Sequence, residues 1–540
     1  MSYELAPFAS IPLDDALLEA LIAEHEAIRK PRLMRLWSYY RNALAEPNAR
    51  GGSLGAPAQV AGLPPRLNGD NGGGSTNGNG DGENGGEEEA NGGSAVNPEI
   101  VIENDIAWRI HTLVDFMFPD SPRLISRAAD PTRAAQIEAI LQSVINANGG
   151  TALWQDAALL GSVYGHVDFL LGCDPLLQRV NAGRSGPDVS ASHLNEPTSP
   201  TGAIVNRPGA VPSNPSADEL VNRIGSMISI ETVEAPRAIP LLNRSDYRLL
   251  DAYIIRFDQA IHDVDHGGWL SRLSNAIRRA GHRHTRRKTV EITEIHSATH
   301  CQRYEDGILV EETINRLGRI PVVHIQNLSQ PLHYTGLSDV EPLIPLQDEL
   351  NTRLSDRANR VTMQSFRMWL GKGIDNFTDH PVGPGQMWFT DNIDASIESF
   401  GGDADSPSEK AHIEEIREAL DKASGVTPAA AGHIRARVGN LTSENALRIS
   451  LMGTIAKTKR KRVTYGRGIA ALCELILHAL HVSGVFRTAP SERGVETTWA
   501  DPIASDESRR IADALAKAQL GVPTSLLRAE LGYPDSDAAS

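Results

Sequence analysis

The hydrophobic period of the chain changes from strand to helix near residue 337, and that change limits what it can fold into. Between about 227 and 335, apolar and β-branched residues alternate in short runs at 226–235, 247–258, 289–314 and 319–327. This is the period-2 pattern of strands with one buried face. After 337 the period lengthens. Leu346, Leu350, Leu354, Ala358 and Val361 recur every three or four residues, as on one face of a helix reaching about Leu370. Ser338 with Glu341 forms a capping-box pattern, yet Pro345 lies too deep for an unbroken helix. A short turn and a helix restarting at Pro345 are predicted instead. The two periods together predict an α+β fold that is mainly helical in its C-terminal half.

The rest of the chain fits around this switch. Leu17, Leu18, Leu21 and Ile22 predict a helix over 14–30, with Pro31 breaking it or opening the next. From Gly51 to Asn97 the chain is dominated by Gly, Asn, Asp and Glu. Ordering such a segment costs backbone entropy with nothing to bury, so a disordered acidic insertion is expected. Ile106, Ile110, Leu113 and Phe116 share one helical face, and Pro131 opens a further helix to Ala147. The segment 152–173 passes from helix into strand near Tyr164, and 181–218 reads as loop. Residues 371–405 lose the helical period and read as a β-rich excursion. Ser406, Pro407 and Glu409 start a helix that Gly425 stops. A loop of small residues at 426–441 leads to a long helix from Glu444 to about Val482, weakened at Gly453, Gly466 and Gly468. Another helix covers Ser505 to Leu520.

At 540 residues, two to four sub-domains are expected. The formal charge of −16, from 68 acidic and 52 basic residues, argues against a protein that coats DNA or an anionic membrane by its overall field. Cys173, Cys301 and Cys473 are far apart and form no CxxC pair, so free thiols are expected. The N-terminus lacks the pattern of a signal peptide, and no run approaches the roughly 20 apolar residues of a membrane span.

Motifs that carry chemistry are weak. Ser53 lies in a G-x-S-x-G pattern, but without the strand and helix that hold a serine nucleophile on a strained turn. It is the whole case for a hydrolase. No P-loop pattern occurs, and Gly466 with Gly468 fits a dinucleotide motif only loosely, inside a helix. Asn77, Asn79, Asp81, Gly82 and Glu88 have the spacing of a calcium loop without flanking helices. Glu474, His478 and His481 share a helix face that fits metal ligands or a packed polar stripe. No cofactor or metal is assigned. Two basic clusters are candidate phosphate contacts. One is Arg278, Arg279, Arg283, Arg286, Arg287 and Lys288; the other is Lys457, Lys459, Arg460, Lys461 and Arg462. Few aromatics interleave with them, so base readout is not expected.

One stretch is more specific. Gly318 to Val323, Asn327, Gly336, Ser338-Asp339, Leu346 to Asn351 and Ser355-Asp356 form a strand, a turn and a helix. That order resembles the portal proteins of tailed phages, of the type found in siphophages. Tyr39-Tyr40, Asn104, Tyr164-Gly165, Val426-Thr427-Pro428 and Ala446-Leu447 resemble further family elements. The insertion at 51–97, and Ser443 followed by Glu444 rather than Gly, depart from the family pattern.

The resemblance implies a non-enzymatic, ring-forming subunit, typically dodecameric, at one capsid vertex of the virion, with dsDNA passing through its channel. It implies assembly in the host cytoplasm and, as partners, the terminase large subunit, the major capsid and scaffold proteins and a head–tail adaptor, with no membrane. Mapped onto this chain, it implies a wing over 1–50 and 98–337, with 51–97 inserted. Stem helices would fall at 338–370 and 406–425, flanking a clip at 371–405. A tunnel loop at 426–441, a long wing helix at 442–489 and a crown at 490–540 complete the map. Arg435 and Arg437 in the tunnel loop are the candidate channel contacts. Another head–tail or capsid protein is the alternative.

Overall fold

The computed structural model describes residues 3–41, 101–173, 217–261, 288–365, 368–372, 393–400, 407–432, 448–502 and 507–531. The segment 51–97, including Ser53 and the calcium-loop pattern, lies outside them. The chain forms two compact units, one of Met1–Leu33, His111–Ser338 and Pro428–Ser540, the other of Met34–Ile110 and Asp339–Thr427. Helices and strands are numbered in chain order.

The first unit is built on sheets. Helix α1 (Asp15–Glu24) begins at Asp14, whose carboxylate accepts from the Leu17 N–H at 2.8 Å. A five-residue π turn, His25–Arg29, joins it to α2 (Lys30–Arg41). Pro31, which has no N–H, sits just beyond the π turn, where the regular ladder is already interrupted, so the helix continues where a break was an option. Strand β1 (Arg123–Ser126) comes before α4 (Pro131–Ala147), which follows α3 (Ala107–Met117) in the chain. Helix α5 (Thr151–Tyr164) ends at Gly165, whose φ of 93° is left-handed, and β2 (His166–Gly172) starts at once. The switch predicted near Tyr164 is there, and Gly165 makes it.

Helix α6 (Ala217–Gly225) leads into β3 (Ser229–Val233). Strands β4 (Ala238–Leu242), β5 (Leu250–Ile261), β6 (Lys288–His296), β7 (His300–Glu305) and β8 (Ile308–Ile314) form an antiparallel sheet in that order. The alternating run 289–314 is thus most of three strands, divided by turns. Tyr3, Phe8, Leu18, Ile254, Ile295 and Tyr304 pack one core against this sheet. Strand β9 (Val322–Gln326) completes a second antiparallel sheet, ordered β3-β2-β9.

In the second unit, α7 (Ile344–Ser365) follows a single 3-10 turn at Glu341–Leu343, matching the turn-then-helix expectation. The 3-10 turn has Val340 at its N-cap, with no side-chain hydrogen bond from that residue. The Ser338 hydroxyl donates to the Val163 carbonyl at 2.5 Å, within the first unit. The helix was expected to reach Leu370, but Met368–Lys372 is strand β10, paired with β11 (Ser396–Phe400). Met368 and Leu370 suit a helix face or a strand equally, and strand pairing decides between them. Helix α8 (Pro407–Ser424) starts at its proline, and Gly425 follows at φ 69°.

The first unit then resumes. Helix α9 (Met452–Val482) packs its Ile469, Leu472, Ile476 and Leu480 into the interior. It is long and apolar enough to cross a membrane by length and composition, unlike the sequence expectation. Those side chains are nevertheless buried against protein, as in a core helix. Two of its glycines allow close approach rather than merely weakening it. A Cβ on Gly468 would lie 2.2 Å from Ile325 Cδ1, and one on Gly466 would lie 3.0 Å from Thr497 Oγ1. Strand β12 (Val495–Thr498) pairs with β1, and α10 (Glu507–Gln519) and α11 (Thr524–Leu531) follow. Helices dominate the described residues after 337. Cys173, Cys301 and Cys473 are all free thiols.

Candidate nucleic-acid interface and its framework

The residues of the central run converge on two polar clusters, one in each unit. In the second unit, α7 presents Gln347, Asp348, Asn351 and Ser355 along one side. Gln347 Nε2 donates to the Glu103 carbonyl at 2.6 Å, and its Oε1 accepts from the Asp105 N–H at 3.2 Å. Asn351 Oδ1 accepts from the Glu103 N–H at 3.1 Å, and Ser355 Oγ from the Val101 N–H at 3.0 Å. Residues on helical spacing therefore satisfy the backbone of 101–105, which has no regular ladder of its own. Tyr39 donates to Asp348 Oδ1 at 2.7 Å, and Asn104 Nδ2 donates to the Tyr40 carbonyl at 3.0 Å. Burial, with the Asp348 carboxylate beside it, pushes the Tyr39 phenol up to about 12.

Arg109 fixes the end of α8 in the same unit. Its side chain is 2% exposed. It forms a 2.7 Å ion pair with Asp105, and Nη1 donates to Ser424 Oγ at 3.1 Å and to the Val426 carbonyl at 2.6 Å. Asp421 Oδ1 is 2.7 Å from Nη1, an ion pair lying off the hydrogen-bonding line. Burial raises the Asp421 carboxyl above its ordinary value, and Arg109 opposes that rise. Val426 opens the candidate tunnel loop, so Arg109 anchors the root of that loop. Arg435 and Arg437 lie outside the described residues. Sequence reasoning missed Arg109. Its signal was the four-residue spacing from Asp105, between Ile106 and Ile110 on an apolar face.

In the first unit, the cluster gathers around Gly165. The Asn327 N–H donates to the Gly165 carbonyl at 2.9 Å, and Asn327 Nδ2 to the Leu337 carbonyl at 3.0 Å. A Cβ on Gly336 would lie 2.5 Å from the Gly165 carbonyl oxygen. Beside this, Asp168 lies buried on β2. It accepts from Tyr253 at 2.7 Å and contacts His324 Nδ1 at 2.6 Å. His324 Nε2 faces the Tyr334 carbonyl at 2.8 Å, so the two ring nitrogens each face an oxygen. Burial works to raise the Asp168 carboxyl, but His324 and Tyr253 outweigh it and hold the group below its usual range. The neighbouring His166 is pushed down to about 4 by burial.

The basic cluster of α9 is split by the helix period. Lys459 and Arg460 are exposed, and Lys457 is half-buried. Lys461 is fully buried, with Nζ 2.8 Å from Ser162 Oγ, and does not share their surface. It lies four residues before Tyr465 on the helix's buried stripe. Arg462 caps the end of α3, donating to the Phe116 carbonyl at 2.8 Å. Arg286 and Arg287 lie outside the described residues; Lys288 opens β6 opposite Ile261.

The candidate metal stripe of α9 divides among other contacts. Glu474 pairs with Arg319 at 3.0 Å, and His478 Nε2 faces the Leu317 carbonyl at 2.9 Å. His481 Nδ1 accepts from the Thr488 N–H at 3.2 Å.

Residues 275–535 match the model of a phage portal protein family, SPP1 Gp6-like. The portal resemblance read from the central run therefore holds over that stretch. No curated protein matches the chain. A chain in the virion of a native gene transfer agent particle is 12% identical, with 80% of this chain and 90% of that one covered. Its TM-score is 0.38, at which no fold assignment follows.

Proposed function

We propose that this chain is the repeating subunit of a ring at one capsid vertex, through which viral dsDNA is packaged and later ejected. The portal family match over 275–535 is the observation that carries this reading. In it, the ring docks the terminase large subunit during packaging and the head–tail adaptor afterwards, and meets the major capsid and scaffold proteins at its rim. A dodecamer, assembled in the host cytoplasm and retained in the virion, is the form the family resemblance suggests.

Geometry, not chemistry, is the subunit's task. Helices α7 and α8 are assigned to the stem and 371–405 to the clip, with Arg360 of α7 paired to Glu409 at the start of α8. The loop 426–441, rooted at Arg109, is assigned to the channel wall, where Arg435 and Arg437 brush phosphates. A net charge of −16 keeps most of the surface from holding DNA, so passage needs few strong contacts to be broken. A ring in which Arg435 and Arg437 both point away from the axis would refute that part. For the function itself, heads assembled without this subunit should remain empty of DNA. Heads that fill normally without it would overturn the proposal.

A further inference from the structure

Two bare strand edges in the first unit have complementary chemistry. The first belongs to β9. Pro321 and Asn327 bond inward, to Leu171 and Gly165. By antiparallel alternation, residues 322, 324 and 326 turn their N–H and C=O groups outward. Among the described residues, no strand pairs with that edge. A groove of about 780 Å³ follows it, lined by Leu249, Ile320 and Val322, and by Arg319, Arg467 and Ala471. Arg467 is exposed and has no partner among the described residues.

The second edge is β8, last in its five-stranded sheet. Ile308, Val310 and Ile314 are 71%, 57% and 70% exposed. Glu311 stands among them, exposed and without a partner among the described residues. An extended apolar edge of this kind is a hazard to a free monomer, because it templates pairing with another chain. Here the chain itself carries a receptor of opposite charge.

We infer that β8 of one subunit adds to the open edge of β9 in the next copy, with Glu311 meeting Arg467. Seven residues of β8 suit the five of β9 plus its flanks. The backbone groups of 322, 324 and 326 gain a ladder, and the side chains of Val310 and Ile314 gain apolar cover. Such a contact joins different surfaces of the two copies, so repeating it closes a ring if the rotation closes. The inference rests on the ring reading and names the contact that makes the ring.

The test uses the full chain in two ways. By native mass spectrometry at low salt, Glu311→Arg or Arg467→Glu alone should raise the concentration needed for ring formation roughly tenfold, and the double reversal should restore it. Separately, Val310→Cys combined with Ala471→Cys, treated with a short bis-maleimide, should give a ladder of covalent oligomers. Each single-cysteine variant should give none beyond the background from Cys301. If the wild type forms rings but the reversals are silent and no ladder appears, this interface is wrong and the ring reading stands. If the wild type stays monomeric, both fall.

Discussion

Replacing Arg109 by Leu tests the anchor of the candidate tunnel loop. The change removes a guanidinium that is 2% exposed and leaves Asp105 and Asp421, 9% and 20% exposed, facing each other without it. The Ser424 hydroxyl and the Val426 carbonyl lose their donor as well. Breaking a buried pair by removing one partner costs about 3–5 kcal/mol, most of it the stranded charge. For a unit of this size, that lowers the melting temperature by roughly 10 °C. Thermal unfolding of the full chain measures the loss. Hydrogen exchange at 105–110 and 421–427 locates it. Adding Asp421→Asn to the Arg109→Leu variant should recover part of the loss, since it removes one stranded carboxylate. A variant within about 1 kcal/mol of wild type, with unchanged exchange, would refute the reasoning.

Acid should unfold the first unit through His166. The unfolded ring takes its proton near 6.5 and the folded one not until about 4. Stability is therefore full above pH 6.5 and falls by about 3 kcal/mol as pH drops towards 4. His166→Gln should flatten that slope in denaturant titrations, and an equal slope would contradict the assignment. Gly468→Ala drives a Cβ into Ile325 and should cost about 1–3 kcal/mol by the same titration, where a neutral result would deny the close helix–strand approach. Lys459→Ala and Arg460→Ala should each reduce the salt slope of DNA binding by about 1, while Lys461→Met leaves it unchanged. A slope lowered by Lys461→Met would contradict its burial.

What the sequence makes legible is periodicity and punctuation. The alternation before 337, the helix after Pro345, the stop at Gly425 and the turn after Tyr164 all follow from residue spacing and backbone preference. Burial of polar groups is harder to see. Lys461 belongs to a run of charge that looks like a single patch, yet successive residues on a helix point about 100° apart. Arg109 reads as the polar break in an apolar face until Asp421, Ser424 and Val426, more than 300 residues away, are in place. Ser338 has the spacing of a helix cap, and its hydroxyl also donates to the Val163 carbonyl, which no local pattern announces. In each case the deciding partner is distant in sequence, and local pattern holds no record of it.

The central claim is a ring around DNA. Electron microscopy of the purified, assembled full chain measures it most directly. The account predicts closed rings of one stoichiometry with an open central channel wide enough for a DNA duplex. Monomers, closed shells or rings without a channel would contradict it.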